Sequence, residues 1–549
     1  MCFFRVALSI ILLLGFTLLM ASEPEGKVFQ VPDEFPTIQE AIDICRDGDV
    51  VLVNKGIYRE CIDFTGKAIT VASHFWLDGN DEHIANTIIS GNTISEKPDR
   101  SLVSFVNGED NRSVLMGFTL TEGKGTILYD GKVKCGGAIL CLNSHPMILH
   151  NRIVYNEVKH PYLVFGAGIC IIQTKQTTLK DSLIIRHNRI RFNSVVASKT
   201  SFGGGIFISG PQIVALQNNC IRSNSTRVGG GMAVFSGYPY LHNNRFTTNQ
   251  ALYGAGLFMV TRSIQSPTGI NNVDGQLVAQ NDPAREEVES ALEILPVFNE
   301  IPPVRPQIFN CTFTRNLANA SGGAIYSLYT NADIKNSILW KDMAFQEGTE
   351  IHARGAIDVT YSNIYKGWVD IPGNNNIEAD PLFVDLNGCC LIEDSPCIDA
   401  GHPDALFNDP ENPEKPGQAL SPAWGTIRND MGAFGGPCAC DWCPYFIPAE
   451  KVLSTTPEDI TPTTARFHSN FPNPFNPTTT ISFDLAQSGF VSLRIFNVLG
   501  EEVATLVAKQ LNAGNYSYTW DASNLAGGIY VYRLETNNFA ETKKMILVK

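Results

Sequence analysis

The sequence predicts an all-β protein in which a parallel β-solenoid is followed by a small antiparallel β-sandwich. Three observations carry that expectation. Glycine-led segments recur at Gly136, Gly166, Gly203, Gly229, Gly254, Gly322 and Gly348, at intervals of 25 to 37 residues except for one of 68. Within them, apolar bursts such as "AILCL" and "RIVY" last three to five residues between Gly, Pro, Ser or Asn. Strands that short bury no core alone, so successive units must stack, at ~4.8 Å per turn. Finally, 17% charged residues with 46 glycines and 30 prolines describe a turn-rich chain with short strands.

The first element is a leader. Arg5 precedes an uncharged run from Val6 to Met20 and the small residues Ala21 and Ser22, so residues 1–21 read as a secretory signal peptide. The next stretch, "FPTIQEAIDICRDGDVVLV", places Thr37 and Glu40 in capping-box register. Ile38, Ala41, Ile42 and Cys45 fall on one helical face, which predicts an amphipathic helix over 36–47 that covers the open edge of the first coil.

In the coils, glycines suit tight turns and close approach of neighbouring turns. Asparagines at 151/156, 188/193, 219/224, 243/249 and 310/316 are expected to form amide ladders at the other turns. The interval of 68 residues contains an insertion, 261–304, whose "AREEVESALEIL" has the look of a short helix; specificity is expected there because solenoids carry function on such loops. A Cys- and Pro-rich segment from about Gly388 to Pro444 is expected to close the far end. Disulfides among Cys389, Cys390, Cys397, Cys438, Cys440 and Cys443 would oppose fraying there, while the Cys440/Cys443 spacing would also serve a zinc half-site or a redox pair.

The opening "PTIQEAID...GDVVLVNKGIYRE" resembles the first coil of pectinesterase-type and other right-handed parallel β-helix proteins. The runs "ADPLFVD", "DSPCIDAGHPD" and "NDMGAFGGP" resemble the closing segment of secreted bacterial β-helix proteins. Together the resemblance covers about residues 27–440 and implies a pectin-lyase-like right-handed parallel β-helix over 27–444. The catalytic segments of pectinesterases and polygalacturonases have no counterpart in this chain, nor do His-Glu-x-x-His or Gly-x-Ser-x-Gly motifs.

After a Thr/Pro-rich linker at 445–468, residues 469–549 alternate polar and apolar positions over six or seven short strands, as in an Ig-like sandwich. "FPNPFNPTTTI", "FNVLGEEV", "GGIYVYRL" and the terminal "KKMILVK" resemble the type A sorting domain of proteins exported by the type IX secretion system. That resemblance implies outer-membrane secretion machinery as a partner and a secreted or surface-attached product.

Function is less sharply written. A net charge of −14 offers no basic stripe for nucleic acid, and the capped solenoid is expected to be a monomer. Lys180, Arg186, Arg189 and Arg191 concentrate positive charge in one coil, and strand alternation puts Arg189 and Arg191 on the same outward side. Asp78, Asn80, Asp81 and Glu82 offer oxygen ligands of the kind calcium takes, without an EF-hand register; no other cofactor is suggested. The expectation is an exported protein that binds extended polysaccharide or another extracellular ligand, with a polysaccharide lyase or glycoside hydrolase acting on uronate-containing glycans as the alternative.

Overall fold

The computed structural model describes residues 26–92, 99–174, 182–197, 200–261, 282, 284–295, 305–367, 374–385, 390–439, 466–467, 470, 475, 477–498, 500–536 and 539–547. The leader, Lys180, Cys389, Cys440, Cys443 and most of the 261–304 insertion and 445–468 linker lie outside them. The chain divides into two compact units, Met1–Phe446 and Ile447–Lys549.

The first unit is a parallel β-helix. Each coil visits three sheets in turn: Ile213–Gln217 lies in sheet A, Cys220–Arg222 in sheet B and Met232–Phe235 in sheet C, before Tyr238–His242 re-enters sheet A. Sheets A, B and C contain 11, 10 and 9 strands. Each strand pairs in parallel with its counterparts one coil away, so like residues stack on like. On the inner face of sheet B the column is Leu120, Ile153, Ile190, Ile221, Phe246, Phe313 and Leu339. These side chains are fully buried, and the Phe246 and Phe313 rings stack at 4.6 Å.

The glycines recur for two separate reasons. Gly203 adopts φ +67, and a Cβ there would lie 2.3 Å from its own turn's Ile206 carbonyl oxygen. Gly205 is excluded from being larger by the next coil, because its Cβ would meet the Gly231 carbonyl oxygen at 2.5 Å. Close stacking of backbones therefore sets the glycine-led grammar.

Two amide ladders run along the turns that flank sheet B. In the first, the N–H of Asn151, Asn188 and Asn219 donates to the side-chain oxygen of Asn188, Asn219 and Asn244 respectively, at 2.9 to 3.0 Å. The second climbs through Asn156, Asn193, Asn224, Asn249 and Asn316 and ends on Asp342. Asn243 and Asn310, expected in the ladder, lie outside it. They have positive φ and face outward, while their successors Asn244 and Cys311 take the inner position. The left-handed residue that precedes each rung shifts the spacing from six to five.

Added segments cover the outside of the tube. The predicted N-terminal helix forms over Ile38–Ile44, with Thr37 Oγ1 accepting from Glu40 N and with Ile38, Ala41 and Ile42 buried. Two short helices, Phe75–Asp78 and Asp81–Asn86, lie over sheet A, where Phe75 and Ile84 pack with Ala72, Val114, Met116 and Leu149. In the insertion, Arg285–Leu292 is helical, and Ala284, Val288, Ala291, Leu292 and Leu295 pack against the outer face of sheet C on Phe207, Phe235, Phe258 and Tyr326. Tyr326 Oη donates to buried Asp282 at 2.7 Å. The described part of the insertion thus covers apolar surface of sheet C.

The closing segment departs from a simple end cap. Leu391, Cys397 and Met431 cover Ile338 and Trp340, which lie in register with Thr312 and Thr314 on the outer face of sheet B. Residues 430–438 then run back along the outward asparagines: Asn310 Nδ2 donates to the Asp430 carbonyl, Asn243 Nδ2 to those of Ala433 and Gly435, and Asn218 Nδ2 to that of Cys438. The left-handed turn residues point their amides out of the tube, and this strap accepts them.

The second unit, residues 447–549, contains two antiparallel sheets. One holds Arg466–Phe467, Thr478–Leu485 and Gly514–Asp521; the other holds Gly489–Phe496, Glu502–Leu511, Gly528–Glu535 and Ala540–Leu547. Phe467, Phe483, Leu493, Trp520 and Tyr532 fill the space between them, so packing begins two residues ahead of Ser469. No helix among the described residues is long and apolar enough to cross a membrane.

Candidate functional site on the outer face of sheet B

Because inner and outer residues alternate along a strand, the inner column of sheet B has an outer column on each side of it. One reads Arg152, Arg189, Cys220, Arg245; the other reads Val154, Arg191, Arg222, Thr247. Five guanidiniums from four consecutive coils therefore share one face. Of the sequence-predicted candidates, Arg189 and Arg191 lie here, on the same side as expected. Arg186 belongs to sheet A, where its Nε donates to His187 Nε2 at 3.1 Å.

The face is bounded on one side by the Asp81–Asn86 helix, from which Asp81 Oδ2 reaches Arg189 at 3.0 Å and Arg152 at 3.8 Å. At the other, the Phe434 ring of the strap lies 5.3 Å from the Arg245 guanidinium carbon. The Arg152 and Arg189 side chains retain 12% and 15% exposure, and Arg191 and Arg222 are also partly exposed. Asp81 cannot neutralise the cluster, and the buried Nε atoms of Arg152 and Arg191 have no acceptor.

The resulting field registers on its neighbours. Burial first, then the guanidiniums of Arg191 and Arg152, hold Arg189 down to about 10 against the opposing pull of Asp81. Burial alone would raise the Cys220 thiol, yet the guanidiniums of Arg245, Arg191, Arg222 and Arg189 bring it down to about 7. The Cys220 sulfur lies 3.8 Å from Arg191 Nη2. The arrangement favours anions, and its guanidinium forks suit carboxylate or sulfate groups.

In the acidic turn with oxygens of the kind calcium takes, Asp78, Asn80 and Asp81 have partners within the protein. Asn80 caps the Asp81–Asn86 helix by accepting from Glu82 N, Asp78 accepts from Asn80 N at 2.8 Å and pairs with His83 at 3.0 Å, and Asp81 serves the arginines. Among the described residues, no group of three or more His, Cys, Asp or Glu side chains is placed to hold a metal ion. Of the late cysteines, Cys390 is disulfide-bonded. Cys397 keeps a buried thiol that accepts from Asn363 Nδ2 at 3.1 Å and is pushed up to about 12 by burial.

Sequence reasoning missed Arg152, Arg222 and Arg245. The signal was present in the hexapeptides "NRIVYN", "NRIRFN", "NCIRSN" and "NRFTTN", which when aligned on their ladder asparagines place those arginines in register. Fold and face together define a parallel β-helix protein with a cationic flank on an acidic body. Residues 469–549 match the family described as Secretion system C-terminal sorting domain. The protein is accordingly exported by the type IX machinery, with which this module interacts, and resides outside the cell or on the outer-membrane surface. No curated protein matches the chain.

Proposed function

We propose that this exported β-helix protein binds extended anionic polysaccharide through the outer face of sheet B. The observation that carries this reading is the stack of five guanidiniums on four consecutive coils, of which Arg152 and Arg189 pair with Asp81. A glycan bearing carboxylate or sulfate groups complements this positive charge, and stacked coils repeat the charge along the tube.

The lyase alternative draws on Arg189, whose lowered proton affinity would favour proton abstraction beside a uronate carboxylate. Hydrolysis has less support, since it needs two acids and the described face brings only Asp81, already ion-paired. Binding of the purified protein to immobilised polyuronate, sulfated glycan and neutral glucan tests the reading. Retention on the acidic polymers alone, without release of new chain ends, is expected. Equal retention on neutral glucan refutes it, and accumulation of unsaturated ends replaces it with the lyase.

A further inference from the structure

The glycine-led turn sets two side chains of neighbouring coils against each other. One is the residue just before the leading glycine, and the other is the fourth residue after the leading glycine of the next coil, on the outer face of sheet C. Phe165, before Gly166, meets Phe207, which follows Gly203, with ring centroids 4.4 Å apart and planes at 8°. Tyr253, before Gly254, meets Tyr326, which follows Gly322, at 5.6 Å. One coil before the Phe165 pair, the same two positions hold Cys135, before Gly136, and Cys170, which follows Gly166. Their thiols are hydrogen-bonded to each other.

Both thiols are fully buried, and the structure holds both reduced. Cys135 ends Val133–Cys135, which forms a hairpin with Thr126–Leu128 and continues in parallel through Leu163–Phe165 and Thr200–Phe202 as a short fourth sheet. Cys170 lies in Ile169–Ile172 of sheet C, in register with Leu140. A third thiol, Cys141, is close by, but alternation along its strand turns it into the core of the tube, in register with Ile171. Cys135 is thus the sulfur that shares a face with Cys170. Burial first, then the Cys135 thiol, hold Cys170 well above its ordinary range, so in the folded chain it stays protonated and slow to react. A bond between the two has to form before these coils close over them.

We propose that Cys135 and Cys170 are a disulfide-forming pair, oxidised as the chain leaves the cytoplasm, and that the bond staples the 126–135 hairpin to the following coil. The sorting module sends the chain out of the compartment that keeps thiols reduced. The oxidant is the disulfide of a thiol oxidoreductase acting on the unclosed chain. The thiolate of one cysteine attacks that disulfide, forming a mixed disulfide and releasing one oxidoreductase thiolate; the second cysteine then attacks the sulfur of the first and releases the other. One sulfur–sulfur bond is made in this protein and one is broken in the oxidoreductase, which takes up two electrons and the two protons that the cysteines lose. Because the bond joins neighbouring coils, it also closes a loop in the unfolded chain and so favours the stacked state.

The test is non-reducing peptide mapping of the full-length protein collected after export, with free thiols blocked by iodoacetamide in denaturant. Cys135 is expected to be joined to Cys170 in nearly every molecule, with Cys141 alkylated. Cys141→Ser should keep the link, and Cys135→Ser should leave Cys170 alkylated. Alkylation of both Cys135 and Cys170 in the exported native chain, or a link from either one to a different cysteine, overturns the proposal.

Discussion

Sheet B carries two kinds of stack, and they differ in whether the stack can satisfy itself. In the amide ladder, Asn193 Oδ1 accepts from Asn156 N and Nδ2, while its own Nδ2 donates to Ile153 O and Asn224 Oδ1. Donors and acceptors match rung by rung, so this column needs nothing from outside. Arg152, Arg189, Arg191, Arg222 and Arg245 stack at the same spacing but bring only donors and only positive charge. One column pairs with itself, and the other concentrates positive charge on the outside of the tube.

Breaking the ladder has the largest expected effect. Asn193→Leu leaves the buried Asn156 N–H without its acceptor, while Asn156 Nδ2 keeps Leu120 O, so urea denaturation should show a loss of about 1–3 kcal/mol. A loss below about 0.5 kcal/mol would make the ladder incidental.

A second, smaller effect lies where the ladder ends. Asp342 Oδ1 accepts from Asn316 N and Nδ2 at 2.7 Å, and Glu350 Oε1 accepts from Asp342 N at 3.2 Å. Burial raises Asp342 to about 7, and burial together with Asp342 raises Glu350 further above its ordinary range. Raised carboxyls bind protons more tightly in the folded chain, so their contribution is complete below pH ~4 and is lost as pH rises through about 7. Hydrogen exchange in Ile338–Trp340 should accelerate across that window by an amount equivalent to on the order of 2 kcal/mol, and Asp342→Asn, which completes the amide series, should flatten the profile. The opposite slope would contradict the assignment.

Asp81→Asn is expected to have the smallest effect on stability, under about 1 kcal/mol, because the helix that bears it is held by Phe75 and Ile84. Freed of their carboxylate, Arg152 and Arg189 should bind polyuronate a few-fold more tightly. Weaker binding by this variant would mean that Asp81 positions the arginines instead of competing for them.

What the sequence discloses follows the same division. Periodic features are legible because identical physics repeats in each coil: the glycine-led turns, the ladder amides, the Thr37 cap and the alternating strands of the sorting module. Features that join distant segments are not. Asp81 meets Arg189 across 108 residues, and the Cys438 carbonyl meets Asn218 across 220, with no local pattern to announce either contact. Asn243 and Asn310 misled for local reasons: Asn243 has a neighbouring asparagine, Asn244, that faces inward in its place, and at Asn310 the inner position falls to Cys311, which is no amide. In the insertion the short helix was legible, but its apolar positions report burial and not what buries them.

The central claim is that the guanidinium column serves a ligand and the fold does not need it. Thermal unfolding of the native chain and of Arg191→Ala/Arg222→Ala, each with and without polyuronate, tests it most directly. Removing stacked like charges should leave the unliganded variant as stable as the native chain or slightly more so. Polyuronate should raise the melting temperature of the native chain by mass action and leave that of the variant unmoved. A variant that melts well below the native chain, in a protein whose melting polyuronate does not shift, would contradict the claim.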